Sequence, residues 1–272
     1  MVPLRSRRFM AWCLTGSANN IIKVHFHTAE WMSEIDNEAA QLAVASPPFT
    51  NDVDGRTLDK NDYLKFLQRV FCELIRVLNP GGILVCVNTD LRDHARYNRG
   101  DRRFNGLVWQ KHGDIRTTAE RVGFRCIDTK IWSKSLHRSL YRYSFAYIQF
   151  FQKPGRGRNH SCRYRVHSSF APDVWLLERG THRKDSRGSI FLDAMHPEIA
   201  LRCIHQFTSI GDLVVSPFAG SGTVLSVANL MRRCCVGYEI NKNLLPLIKE
   251  SVTAPEHFSA YFRCLQPNHV CP

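Results

Sequence analysis

The sequence predicts an α/β fold with a mostly parallel sheet, and three observations carry that prediction. Short apolar runs alternate with helix-periodic segments at both ends of the chain. The run Ile83-Leu84-Val85-Cys86-Val87 is apolar without interruption, as a strand covered on both sides requires. A glycine-rich turn, Gly220-Ser221-Gly222, stands between a predicted strand and a predicted helix.

In order along the chain, Ile21 to Val24 reads as a strand, Thr28 to Ile35 suits a helix opening, and Gln41 to Ala45 is a short buried strand. Leu64, Leu67, Val70, Phe71, Leu74, Ile75 and Leu78 share one helical face, and the breaker cluster Asn79-Pro80-Gly81-Gly82 stops that helix before the 83–87 strand. Toward the C-terminus, Pro197 to Phe207 reads as helix and Asp212 to Val215 as strand. A helix follows from the glycine turn to about Met231, then a strand over Cys234 to Tyr238 and a last helix from Asn243 to Val252. Residues 91–170 break this rhythm, and Lys153-Pro154-Gly155-Arg156-Gly157-Arg158 within them reads as a surface loop. At 272 residues and 44% hydrophobic content, the chain suits one domain over 1–272.

The formal net charge is +13, so a polyanionic partner is expected. Between Leu91 and Phe170 stand 18 Lys/Arg against 5 Asp/Glu, which accounts for the whole excess and marks a docking surface on a folded scaffold. Ten cysteines show no C-x-x-C spacing, and several lie in apolar runs, so a reducing, cytoplasmic setting without a disulfide frame is expected. His25 and His27 would share a strand face, but with no third ligand near them in sequence a structural role is expected and no metal. No apolar run reaches membrane-spanning length, and the stretch after Arg5, Arg7 and Arg8 is too short for a secretory signal.

Two motifs carry chemistry. In Ser216-Pro217-Phe218-Ala219-Gly220-Ser221-Gly222-Thr223 the glycines permit a tight turn and close ligand approach, and the helix start presents N–H groups. Glu239 follows Gly222 by seventeen residues at the end of the next strand, about where nucleotide-binding α/β folds place a carboxylate on ribose hydroxyls. In Ser46-Pro47-Pro48-Phe49 the two prolines force the chain out of the sheet in a stiff, extended form. Rigid carbonyls and a side-chain oxygen there suit an –NH2 group, and an aromatic ring just beyond can stack on a base.

With both motifs in this order, the chain resembles the prokaryotic amino-group DNA methyltransferases, in the permuted class where the base-handling motif precedes the cofactor loop. Supporting signatures are Tyr63-Leu64, Arg76 to Gly82, Asn88-Thr89-Asp90, Gly123-Phe124, Ile131 to Lys134, Val174-Trp175 and His196-Pro197-Glu198. The resemblance implies a Rossmann-like fold with helices on both faces of the sheet and S-adenosyl-L-methionine as cofactor. It implies a cofactor site of Phe218, Ala219, Gly220, Ser221, Gly222, Thr223, Glu239 and Asn241, with Thr223 capping the helix. Ser216 departs from the family Asp, a loss that Asp90 could offset. The catalytic residues would be Ser46, Pro47, Pro48 and Phe49, and Ser rather than Asp at the first position favours cytosine N4. Adenine N6, cytidine N4 in RNA, and a catalytically inactive nucleic-acid-binding protein are the alternatives.

The partner implied is double-stranded DNA, held by phosphate contacts from Arg92, Arg96, Arg99, Arg102, Arg103, Arg156, Arg158, Arg163 and Arg165. The family's target-recognition position, about 151–169, is short here, which fits a short recognition sequence or a helper protein. A restriction-modification system with a cognate nuclease, a homodimer and association with the nucleoid are further implications of the resemblance.

Overall fold

The computed structural model describes residues 10–16, 19–48, 58–92, 108–134, 144–156, 170–177, 183–184, 190–191 and 195–254. Among these described residues, thirteen strands and five α-helices follow in chain order: β1 (Ala11–Thr15), β2 (Ile21–His25), β3 (Ala40–Ala45), α1 (Lys60–Val77), β4 (Leu78–Asn88), β5 (Leu91–Arg92), β6 (Val108–Trp109), α2 (Lys111–Val122), β7 (Arg125–Ser133), β8 (Phe145–Gln152), β9 (Val174–Leu176), β10 (Arg183–Lys184), β11 (Ile190–Phe191), α3 (Pro197–Phe207), β12 (Leu213–Ser216), α4 (Thr223–Leu230), β13 (Cys234–Tyr238) and α5 (Leu245–Thr253). Nine strands form one sheet in the order β1-β2-β13-β12-β3-β4-β8-β7-β9, while β5-β6 and β10-β11 are separate short pairs. Five of the eight pairings in the large sheet are parallel, with β1 and β8 running against the rest.

Period-two alternation along the central strands divides the core into two layers. Leu42, Val44, Ile83, Val85 and Val87 face a layer completed by α3, α4 and α5. Ala43, Ala45, Leu84 and Cys86 face the other, completed by α1 and α2. Helices therefore cover both faces, which is why the 83–87 run carries no polar residue.

The strands around Ile21, Gln41, Ile83, Leu213 and Cys234 and the helices at 60–77, 197–207 and 223–230 match the sequence reading closely. Thr28 to Ile35 does not. It is a turn-rich loop, because side chains of α1 take the backbone groups that a helix would pair within itself. Glu73 accepts from Met32 N–H at 2.8 Å, and Arg76 donates to the Met32 and Ile35 carbonyls at 2.9 and 3.1 Å. The Asn79–Gly82 cluster also differs from expectation. Helix α1 runs directly into β4, and these residues form a bulge, with Ala40 opposite Leu78 but Leu42 opposite Ile83.

Residues 91–170 break the sequence rhythm, but their described part joins the main sheet and its helices, contributing α2, β7 and β8. Two of the basic residues counted there, Lys111 and Lys130, are buried. Lys130 donates to the carbonyls of Ala171 and Pro172 and ties β7 to the segment before β9. No helix of the described residues is long and apolar enough to cross a membrane.

Candidate active site

Both motifs emerge at adjacent strand ends in the middle of the sheet. From β12 the chain crosses through α4 to β13 on one side, and from β3 it crosses through α1 to β4 on the other. The direction of winding reverses between β12 and β3, and open α/β sheets bind ligands at such a switch point, beyond the carboxyl ends of the strands. Val214 pairs with Leu42 and Val215 with Ala43. The two strands lie side by side and end at neighbouring points, so the glycine motif after β12 and the proline motif after β3 leave the sheet next to each other.

The glycine loop is built for close approach. Gly220 and Gly222 have φ of 52° and 82°, a region that costs an L side chain about 1–2 kcal/mol. A Cβ on Gly222 would also meet the Ile248 backbone at 3.3 Å. Gly222 is the N-cap of α4 and makes no side-chain cap bond. Thr223 is the first helical residue and does not cap the helix, contrary to the expectation from sequence; its hydroxyl lies 3.2 Å from that of Ser221.

Glu239 closes the other side of the loop. One carboxylate oxygen accepts from Gly220 N–H at 2.8 Å and the other from Asn241 N–H at 2.9 Å. These two backbone bonds fix the direction of the carboxylate at the end of β13. Asn241 is exposed beside it and caps the 3-10 turn Lys242–Leu244. Ser216 is wholly buried, and its hydroxyl has no hydrogen-bond partner among the described residues. Asp90 accepts from the backbone N–H of His112 and lies 2.7 Å from that ring.

The proline motif is clamped from below by two residues that the sequence did not single out for this role. The Pro48 carbonyl accepts from the Tyr63 hydroxyl at 2.8 Å and from Lys111 Nζ at 3.2 Å, while Lys111 Nζ lies 4.7 Å from the centroid of the Tyr63 ring. Lys111 opens α2 and is buried, which lowers its pKa to about 8 against the pull of Cys86 and Asp90. A lysine with an aliphatic stem and a hidden head has no periodic signature, so only packing reveals it. Ser46 is half-buried and Pro47 buried.

Phe49 lies outside the described residues, as do Arg96, Arg99, Arg102, Arg103, Arg158, Arg163 and Arg165. Arg92 stands in β5, and Arg156 is exposed beyond β8. Glu34, nine residues after His25, folds back so that a carboxylate stands beside His25 and His27.

The DNA methylase family, which groups N6 and N4 methyltransferases, matches residues 40–250, a span that holds both motifs and the strand carrying Glu239. The chain belongs to this family. It is a DNA amino-methyltransferase that uses S-adenosylmethionine. The methylase is 27% identical to the type II methyltransferase M.MjaI of Methanocaldococcus jannaschii, over 85% of this chain and 90% of that protein. Among solved structures it is similar to TTHA0409 of Thermus thermophilus, a candidate DNA modification methylase complexed with S-adenosyl-L-methionine. That likeness has a TM-score of 0.65 and 26% identity and covers 90% of this chain and 95% of the other. It shares the fold of the cytosine-N4-specific PvuII DNA methyltransferase at a TM-score of 0.62 and 16% identity, over 92% and 88% of the two chains. The oriented Glu239 carboxylate and the left-handed glycines at a strand-to-helix turn fit the adenosine-containing cofactor.

Proposed function

We propose that the methylase, a single domain over residues 1–272, modifies the exocyclic N4 amine of cytosine in double-stranded DNA, on a nucleotide turned out of the duplex. Ser46 carries this reading. A short hydroxyl just beyond β3, the strand paired with the β12 strand that leads into the cofactor loop, accepts a hydrogen from an amine without adding a negative charge.

An exocyclic amine is a poor nucleophile because its lone pair is delocalised into the base. Ser46 Oγ and the Pro47 carbonyl accept its two hydrogens and draw the nitrogen toward pyramidal geometry. S-adenosylmethionine supplies an electrophilic methyl sulfonium. The residues act by alignment and by fixed dipoles, with no covalent link between enzyme and base. Tyr63 and Lys111 hold the Pro48 carbonyl, so the neighbouring Pro47 carbonyl cannot swing away. Phe49 stacks on the extruded base. Glu239 receives the cofactor ribose, Asn241 lies beside it, and Phe218 to Thr223 form the pocket wall. The arginines between 92 and 165 hold phosphates, the chain pairs as a homodimer or acts alone, and a cognate nuclease completes a restriction-modification system.

Nucleoside mass spectrometry after reaction with duplex DNA tests the proposal. N4-methylcytosine is expected. N6-methyladenine would overturn the base assignment, and product on RNA alone would overturn the substrate. Full turnover by Ser46→Ala would remove Ser46 from the mechanism.

A further inference from the structure

We propose that His25, His27 and Glu34 bind one divalent ion of the zinc class at the C-terminal end of β2, apart from the methyl-transfer chemistry. One nitrogen from each imidazole and one carboxylate oxygen lie within 4.8 Å of one another. His27 Nε2 is 2.9 Å and His25 Nδ1 3.8 Å from the same atom, Glu34 Oε1. Ligands of a tetrahedral zinc at ~2.0–2.2 Å stand about 3.3 Å apart, so both separations are within about half an ångström of a coordination edge.

A simple His–Glu hydrogen bond accounts for His27 alone. His25 is too far from that oxygen to bond it, yet the sheet delivers it to the same point. His25 is the ladder partner of Tyr238, and the two rings stack at 5.6 Å. Outer contacts orient the other two donors. His27 Nδ1 lies 3.0 Å from the Thr28 carbonyl, and a carbonyl only accepts, so Nδ1 holds a proton and Nε2 is the nitrogen turned to the cluster. Glu34 Oε2 accepts from the Tyr238 hydroxyl at 3.2 Å. Imidazoles and carboxylates that bind metals are held by partners of this kind. Two imidazoles and one carboxylate suit zinc and its first-row neighbours, whereas magnesium and calcium take oxygen ligands.

The ion would fasten the 26–35 loop to the end of β2, the strand that pairs with β13. His25 accepts from Glu239 N–H at 3.0 Å through its own carbonyl, so the fastening lies directly beside the carboxylate that orients on the glycine loop. Its role is structural, and no methyl-transfer step passes through it.

The test uses the full-length chain, stripped with a chelator and dialysed against zinc, with metal content read by plasma emission. A parallel titration with cobalt(II) is followed by absorption. Equimolar zinc, a raised melting temperature and cobalt d–d bands without thiolate charge transfer are expected. His27→Gln and Glu34→Gln should lose the ion while keeping the wild-type circular dichroism spectrum. Absence of bound zinc, unchanged loading in both variants, or thiolate-to-cobalt charge transfer in the wild type would overturn the proposal; the last would assign the ion to cysteines. The cobalt spectrum needs no variant, so the test stands even if a substitution prevents folding.

Discussion

Lys111 is the residue whose environment has the most consequence for the chemistry. It and Tyr63 both donate to the Pro48 carbonyl. Tyr63→Phe should cost about 1 kcal/mol of stability, the net worth of one buried hydrogen bond, and should lower kcat while leaving S-adenosylmethionine affinity unchanged. Denaturant unfolding, single-turnover methyl transfer and calorimetry check the three parts. The pH dependence follows from burial, which lowers the Lys111 pKa from 10.5 to about 8. Between those values the unfolded chain holds a proton that the native state has released. This group therefore makes stability rise with pH across that window, and below it the cost of burying the ammonium is constant. The rise should be smaller in Lys111→Met, read by urea midpoints from pH 7.5 to 10.5. Ser216 gives a contrasting case. Its buried hydroxyl has no partner among the described residues, so Ser216→Ala should be neutral or stabilising. A loss of melting temperature in that variant would mean that the hydroxyl is bonded.

At the scale of elements, the turn between β12 and α4 is fixed by backbone more than by side chains. Gly222→Ala meets a φ of 82° and an Ile248 backbone atom at 3.3 Å from the new Cβ. A left-handed alanine costs about 1–2 kcal/mol before any clash. The variant should be destabilised by at least that much in urea and should bind the cofactor more weakly in calorimetry. The loop after β2 teaches the complementary lesson. Its composition suits a helix, but Glu73 and Arg76 on α1 bond its backbone, and tertiary contact overrides local preference. That same override brings Glu34 to the two histidines, and no spacing rule on a helix or strand would have done so. The Asn79–Gly82 cluster was recognisable as a breaker, yet the chain uses it as a bulge inside β4, since Gly81 with φ of 79° accommodates the extra residues.

Across the whole molecule, the basic surplus predicts salt-sensitive binding to DNA. Affinity should fall steeply with salt, and replacing exposed Arg156 with Ala should reduce the log–log slope by about one if it contacts a phosphate. Lys130→Met should leave the slope unchanged, because Lys130 is buried against carbonyls. Filter binding over a salt series separates the two. Charge counting alone could not tell these residues apart, because it is blind to burial.

The sequence by itself determined the alternation of strands and helices, the two motifs, the seventeen-residue interval to Glu239 and, through them, the family. These are local properties: hydrophobic period, the steric rules of glycine and proline, and the order of motifs along the chain. Tertiary structure decided what depends on contact between distant segments. It set the strand order that puts β12 beside β3 and so the two motifs at neighbouring strand ends, the winding reversal between β12 and β3, the Tyr63–Lys111 clamp under Pro48, and the approach of Glu34 to His25 and His27. Those arrangements arise when amphipathic helices bury their apolar faces on both sides of one sheet, and the energy of that burial belongs to no single segment.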